Sequence, residues 1–117
     1  MPVKILNALI SANKVALDST GMDRFKRFTS ISNLMDEYYK RLPDHIKIAY
    51  GNLQHNVRNK QNIGSNYQKR LDNGDYNIHG TPNKVLMEQM INEYALSCYQ
   101  IQLSTIQLLE EWLTGVS

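Results

Sequence analysis

The sequence predicts an all-α protein: a helical hairpin of two long helices, at about 44–71 and 82–114, preceded by one or two shorter helices. Three observations predict it. From Met87 through Ile91, Tyr94, Cys98, Ile101, Thr105 and Leu108 to Trp112, side chains recur at alternating steps of four and three. That is the a/d spacing of a helix packed on another helix. Residues 44–71 repeat the spacing with Ile46, Tyr50, Leu53 and Val57, then Lys60, Gly64, Tyr67 and Leu71. Between the two runs lie the turn signals Asp72-Asn73-Gly74-Asp75 and His79-Gly80-Thr81-Pro82,. With 117 residues, the chain forms one small helical domain over 1–117,.

Taken in order, the first element is the weakest. Ile5, Leu6, Leu9, Ile10, Val15 and Leu17 suggest a short helix, diluted by Ser11 and Asn13 and closed by Asp18-Ser19-Thr20-Gly21. Residues 1–22 are therefore expected to form a flexible N-terminal segment that orders on binding. Over residues 23–42, Phe25, Phe28, Ile31, Leu34, Met35 and Tyr38 form a helical stripe, with Arg24, Lys26, Arg27 and Asp36 off it. Leu42-Pro43 ends that run, because a residue before proline avoids the helical region. Asp44 is expected to cap the next helix. Lys60 and Gly64 weaken its second half, glycine costing up to ~1 kcal/mol against alanine in a helix interior.

Tyr76-Asn77-Ile78 is predicted to extend briefly before the last helix. That helix is expected to have Thr81 as N-cap, Pro82 in its first turn and Gly115 as its stop. A second apolar row, Leu86, Met90, Leu103, Ile106, Leu109 and Leu113, runs beside its seam. So wide a stripe needs cover from more than one side. Other helices of the chain, or other copies of it, can supply that cover.

Composition excludes several classes. The net charge is +2, with residues 81–117 carrying −3 (Lys84 against Glu88, Glu93, Glu110 and Glu111) and residues 1–80 therefore +5. That split is too mild to demand nucleic acid. Cys98 is the sole cysteine and lies on the seam, where a buried free thiol is the expectation. There is no run long enough for a transmembrane span, and no Sec signal peptide is read, which implies synthesis in the cytoplasm. His45, His55 and His79 lack partners at metal-ligand spacing. Glu110 and Glu111 point in different directions on a helix and make a poor acid–base pair. The expectation is no enzyme, no cofactor, no metal and no small-molecule substrate. Tyr38-Tyr39-Lys40-Arg41 and Tyr67-Gln68-Lys69-Arg70 read as cations placed at helix C-termini.

Pro82, Leu86, Met87, Gln89, Ile91, Glu93, Tyr94, Leu96 and Ser104 fill a pattern that resembles the C-terminal helix of the needle and inner-rod proteins of type III secretion. The resemblance covers about residues 80–116, and the chain length favours the inner rod. It implies a self-assembling virulence-apparatus subunit, exported and packed in a helical array around a channel. Heterologous contacts that do not close build such a tube. It also implies that Gln89, Asn92, Gln100 and Gln107 face the channel or neighbouring subunits. The candidate interface is Leu86, Met87, Met90, Ile91, Tyr94, Cys98, Ile101, Leu108 and Trp112, with Gln89, Gln100 and Gln107 as polar contacts. Tyr94 and Trp112 are its expected anchors, since large aromatics dominate such surfaces.

The alternative is a self-contained bundle that binds another protein, as secretion co-chaperones and phage-type inhibitors of host machinery do. It predicts that the second row is covered within the chain, by Phe25, Phe28, Ile31 and Leu34 packing onto Leu103, Ile106 and Leu109. A third reading, a helical nucleic-acid binder, would use Arg24, Lys26, Arg27, Lys40, Arg41, Arg58 and Lys60 and bind more weakly as salt rises.

Overall fold

The computed structural model describes residues 2–112, so the expectations placed on Leu113 and Gly115 lie outside the described residues. Four helices carry the fold: α1 (Pro2–Asp18), α2 (Gly21–Asp36), α3 (Asp44–Asp72) and α4 (Lys84–Glu110). A single 3-10 turn, Tyr39–Arg41, links α2 to α3. The predicted long hairpin with two shorter helices before it is the architecture found.

Contacts fix the directions. Gln54 on α3 meets Gln102 and Thr105 on α4, while Tyr67, further along α3, stacks on the earlier Tyr94. These helices are antiparallel. Phe25 on α2 packs at Gly64 of α3, and Asp36 meets Tyr50 and Arg58, so that pair is antiparallel too. Asn13 of α1 donates to the Tyr99 carbonyl of α4 at 3.0 Å, and Ile5 and Leu9 lie beside Leu34 of α2 and Tyr38 just past its end. The result is an up-down-up-down four-helix bundle.

The helices are unequal, at 17, 16, 29 and 27 residues. The turn joining α1 to α2 lies level with Gln68, Leu71, Glu88 and Ile91. Beyond that level the α3–α4 hairpin continues alone. A 29-residue helix is about 43 Å long at ~1.5 Å per residue, and the molecule measures 55 × 24 × 17 Å.

The core draws on every helix: Leu6, Leu9 and Ala16; Phe25, Phe28, Ile31 and Met35; Tyr50; Met87, Ile91, Ala95, Cys98, Ile106 and Leu109. The N-terminal segment, expected to contain a short helix, forms one of 17 residues. It is a full helix that buries Leu6, Leu9, Asn13 and Ala16. Each buried leucine contributes about 1.5–3 kcal/mol by removal from water, which local helix propensity does not register.

Other boundaries shift for local reasons. Asn83, not Thr81, caps α4, its side-chain oxygen accepting from the Leu86 N–H at 3.0 Å. Thr81 and Pro82 are instead a short strand. Pro43 holds the N-cap position of α3, and Asp44 is the first helical residue. The stripe over 23–42 ends as α-helix at Asp36.

Gly64 is no dilution of the α3 seam. A Cβ there would lie 2.6 Å from Phe25 Cζ and 3.1 Å from Tyr94 Cβ. The glycine is the notch that lets the Phe25 ring sit against α3, where it is fully buried.

Candidate functional site

The residues expected to form an interface on α4 divide into three groups. Met87, Ile91 and Cys98 are buried inside the chain. Met90, Tyr94, Ile101, Leu108 and Trp112 are half-buried, and Leu86 is exposed. The division has a geometric cause. A straight helix drifts ~20° per heptad against a strict seven-residue repeat. The seam therefore leaves the core at Tyr94, Ile101 and Leu108 while Thr105 stays buried, and Ala95, Gln102, Ile106 and Leu109 join the buried face.

The second apolar row is covered within the chain at Ile106 and Leu109, both fully buried. Leu34, expected to help cover it, faces outward. Helix α1 packs along α4 and supplies cover that the sequence reading did not assign to it.

Gln89, Gln100 and Gln107, the expected polar contacts, are all exposed. The buried glutamines are others. Gln102 Nε2 donates to Ser32 Oγ at 2.8 Å and to the Phe28 carbonyl at 3.2 Å. Gln54 Nε2 donates to Gln102 Oε1 at 2.8 Å and Thr105 Oγ1 at 3.1 Å. This polar layer joins α2, α3 and α4 at the bundle centre. A glutamine inside a heptad resembles a surface glutamine in sequence, so only the drift of the helix could have revealed it.

Two further groups are positioned for structure. The Cys98 thiol, 3.7 Å from the Val57 carbonyl, is pushed up to about 12 by burial, with Lys60 acting weakly in the other direction. It stays protonated and makes a poor nucleophile. Asp36 accepts from Tyr50 at 2.6 Å and pairs with Arg58 at 2.5 Å, at the edge of a 380 Å³ cleft between α2 and α3. Burial and then the Asp36 hydrogen bond push the Tyr50 phenol well above its usual value. Of the seven cations in the nucleic-acid reading, four make contacts within the chain: Arg24, Arg27, Arg58 and Lys60. His45 and His55 on α3 and His79 between the last two helices are all exposed.

The projecting tip of the hairpin is the most elaborately braced exposed feature. Helix α3 ends in a Schellman motif: Asp75 N–H bonds the Arg70 carbonyl at 2.8 Å and Gly74 N–H bonds the Leu71 carbonyl at 3.1 Å,. Gly74 has φ 78°, which only glycine takes without cost,. Strand β1 (Asn77–Ile78) then pairs antiparallel with β2 (Thr81–Pro82) around His79 and Gly80. Both turn residues have positive φ, at 49° and 83°, as a type I′ hairpin turn requires,.

Arg70 ties these pieces together. Its guanidinium pairs with Asp75 at 3.2 Å, donates to the Asn77 carbonyl and lies 5.4 Å from the Tyr67 ring centre. The Asp75 carboxylate, accepting first from the Asn77 N–H and then from Arg70, is held below the usual carboxylate range. Asn83 N–H closes the tip on the Tyr76 carbonyl at 2.8 Å, and Lys84 lies 5.7 Å from the Tyr76 ring centre. On this frame Val85 is 66% exposed, Leu86 is exposed and Ile78 is half-buried.

Comparison of the chain with protein-family models, with curated proteins and with solved structures finds no match. Among the described residues, no helix is long and apolar enough to cross a membrane.

Proposed function

We propose that this chain is a self-contained helical bundle that binds another protein, presenting the α3–α4 tip as its recognition element. The burial of Ile106 and Leu109 within the chain carries this reading, because at these positions the stripe that needed cover from several sides receives it inside a core to which every helix contributes. The tip supports it. Loops held by a rigid scaffold commonly carry binding, and a braced loop loses little conformational entropy on docking. Val85, Leu86 and Ile78 offer the apolar centre such a contact needs, with Lys84, Glu88 and His79 around it,.

Photo-crosslinking in the source cell tests the tip. A crosslinker at position 85 should give a discrete adduct with one foreign protein, and Leu86→Asp should remove it. A crosslinker at Ile48, 67% exposed on the opposite part of α3, is the control. Equal adducts from both positions, or none from position 85, would sink the reading.

A second reading keeps the inner-rod resemblance: a subunit that assembles into a secretion channel. One observation favours it. Gln89, Gln100 and Gln107 lie within about 20° of one another around α4, by the ~100° per residue of an α-helix. All three are exposed, forming a polar row available to neighbouring copies. Filaments of the concentrated chain in electron micrographs, lost on Gln100→Lys with Gln107→Lys, would support that reading. Absence of any polymer would remove it.

A further inference from the structure

Helix α1 carries two apolar rows of identical spacing, one residue apart. Leu6, Leu9, Asn13 and Ala16 are buried against the bundle. Ile5, Ala8, Ala12 and Val15 form the second row, in which Ala8 and Val15 are exposed and Ile5 and Ala12 half-buried. The two rows together are wider than one set of neighbours covers. Beside the second row a 210 Å³ groove opens between α1 and α2, with Leu34, 51% exposed, on its α2 side and Glu37 at its end. Lys4, adjacent to Ile5, lies at that same end and is exposed, as is Glu37, and neither has an ion-pair partner among the described residues.

We infer that this α1–α2 face binds a second copy of the chain in a two-fold dimer. The face is self-complementary. It carries a knob, Leu34, and a hole, the groove; a cation, Lys4, and an anion, Glu37. An isologous contact needs both halves of each pair on one surface. A two-fold axis running along the groove lays α1 of one protomer on α2 of the other. Lys4 then stands opposite the partner's Glu37 twice, because α1 and α2 bring these residues to one level. Ala8 and Ala12 keep the facing surface low enough for close helix approach. This surface is separate from the tip, so the tip can fail as a recognition element while the dimer stands.

Sedimentation equilibrium on the full chain from low to high micromolar concentration tests the inference. Wild type should reach a discrete species of twice the 13.5 kDa chain mass and stop there. Leu34→Asp should remain monomeric throughout with an unchanged helical circular dichroism spectrum, as Leu34 lies outside the core. Lys4→Glu should weaken the dimer about twofold to tenfold, the range of exposed ion pairs. Adding Glu37→Lys should restore it. Both exchanges suit the helix dipoles, an acid near the start of α1 and a cation at the end of α2, so the swapped chain keeps its fold. A wild type monomeric at every concentration overturns the inference. So does a dimer that Leu34→Asp leaves intact, a swap that fails to restore, or growth beyond two copies that none of these changes affects.

Discussion

The α3–α4 hairpin and the α1–α2 pair are built from the same kind of helix but held in different ways. The hairpin has long helices, a notch at Gly64, stacked Tyr67 and Tyr94, and a tip locked by Arg70, Asp75 and Asn83. Its constraints are local and specific. The α1–α2 pair is joined by two residues, Ser19 and Thr20, and is held mainly by burial of apolar side chains against α3 and α4. Asn13 Oδ1 is buried there without a donor, as Gln54 Oε1 is on α3. The contrast separates two sources of order. The hairpin's shape is set within itself, whereas α1 owes its helix to the surface it covers.

The largest expected effect breaks the joint between the two regions. Phe25→Ala empties the notch at Gly64 and should cost about 3–5 kcal/mol in chemical denaturation. Gly64→Ala attacks the same joint by overpacking and should cost about 1–3 kcal/mol. A fully stable Gly64→Ala chain would show that the ring does not sit where described.

Next in size is the polar layer that binds both regions. Gln102→Ala leaves the Gln54 amide with Thr105 alone and takes the buried donor from Ser32 and the Phe28 carbonyl, and should cost about 1–3 kcal/mol,. Replacing Gln54 and Gln102 together by methionine removes both members of that pair and should cost less than the two single changes summed. Denaturation midpoints of the single and double variants check this, and a double variant worse than the sum of the singles contradicts it.

Much of the fold was legible in the sequence because long, strongly periodic segments carry their own signal. The hairpin, its two turns and the brief extension at Tyr76–Ile78 all follow from spacing and turn chemistry. Helix α1 reads weakly in the sequence because Ser11 and Asn13 lower its local propensity, while its packing rests on distant partners such as Tyr99. The candidate site was half legible. A strict heptad frame selected Met87, Ile91 and Cys98 as interface, yet these are core, and it missed Gln102, which the drift of a straight helix carries inward. The tip's bracing depends on Arg70 reaching across seven residues to Asn77, a contact no short spacing rule marks.

Smaller effects sharpen the picture of the tip. Gly74→Ala places a Cβ at φ 78° and should cost about 1 kcal/mol, read from denaturation, with the rest of the bundle unchanged,. The Asp75 carboxyl is held below its usual range, so its bracing is present above the ordinary carboxylate value of 3.8 and is lost as pH falls through the lower folded value,. Amide chemical shifts of Asn77 should follow that acid titration, and Asp75→Asn should abolish it. The buried Cys98 thiol should react with thiol reagents only at the rate of unfolding; prompt reaction in the native state would contradict its placement.

The central claim is that α1 is an integral part of the bundle, closing the second row of α4 within one chain. Native-state hydrogen exchange on Leu34→Asp, which removes self-association from the readout, tests it most directly. Amides of Leu9 to Ala16 should exchange within about 1–2 kcal/mol of those in the centre of α4, as one cooperative unit does. Exchange of α1 at unprotected peptide rates, beside a protected α3–α4 hairpin, would contradict it.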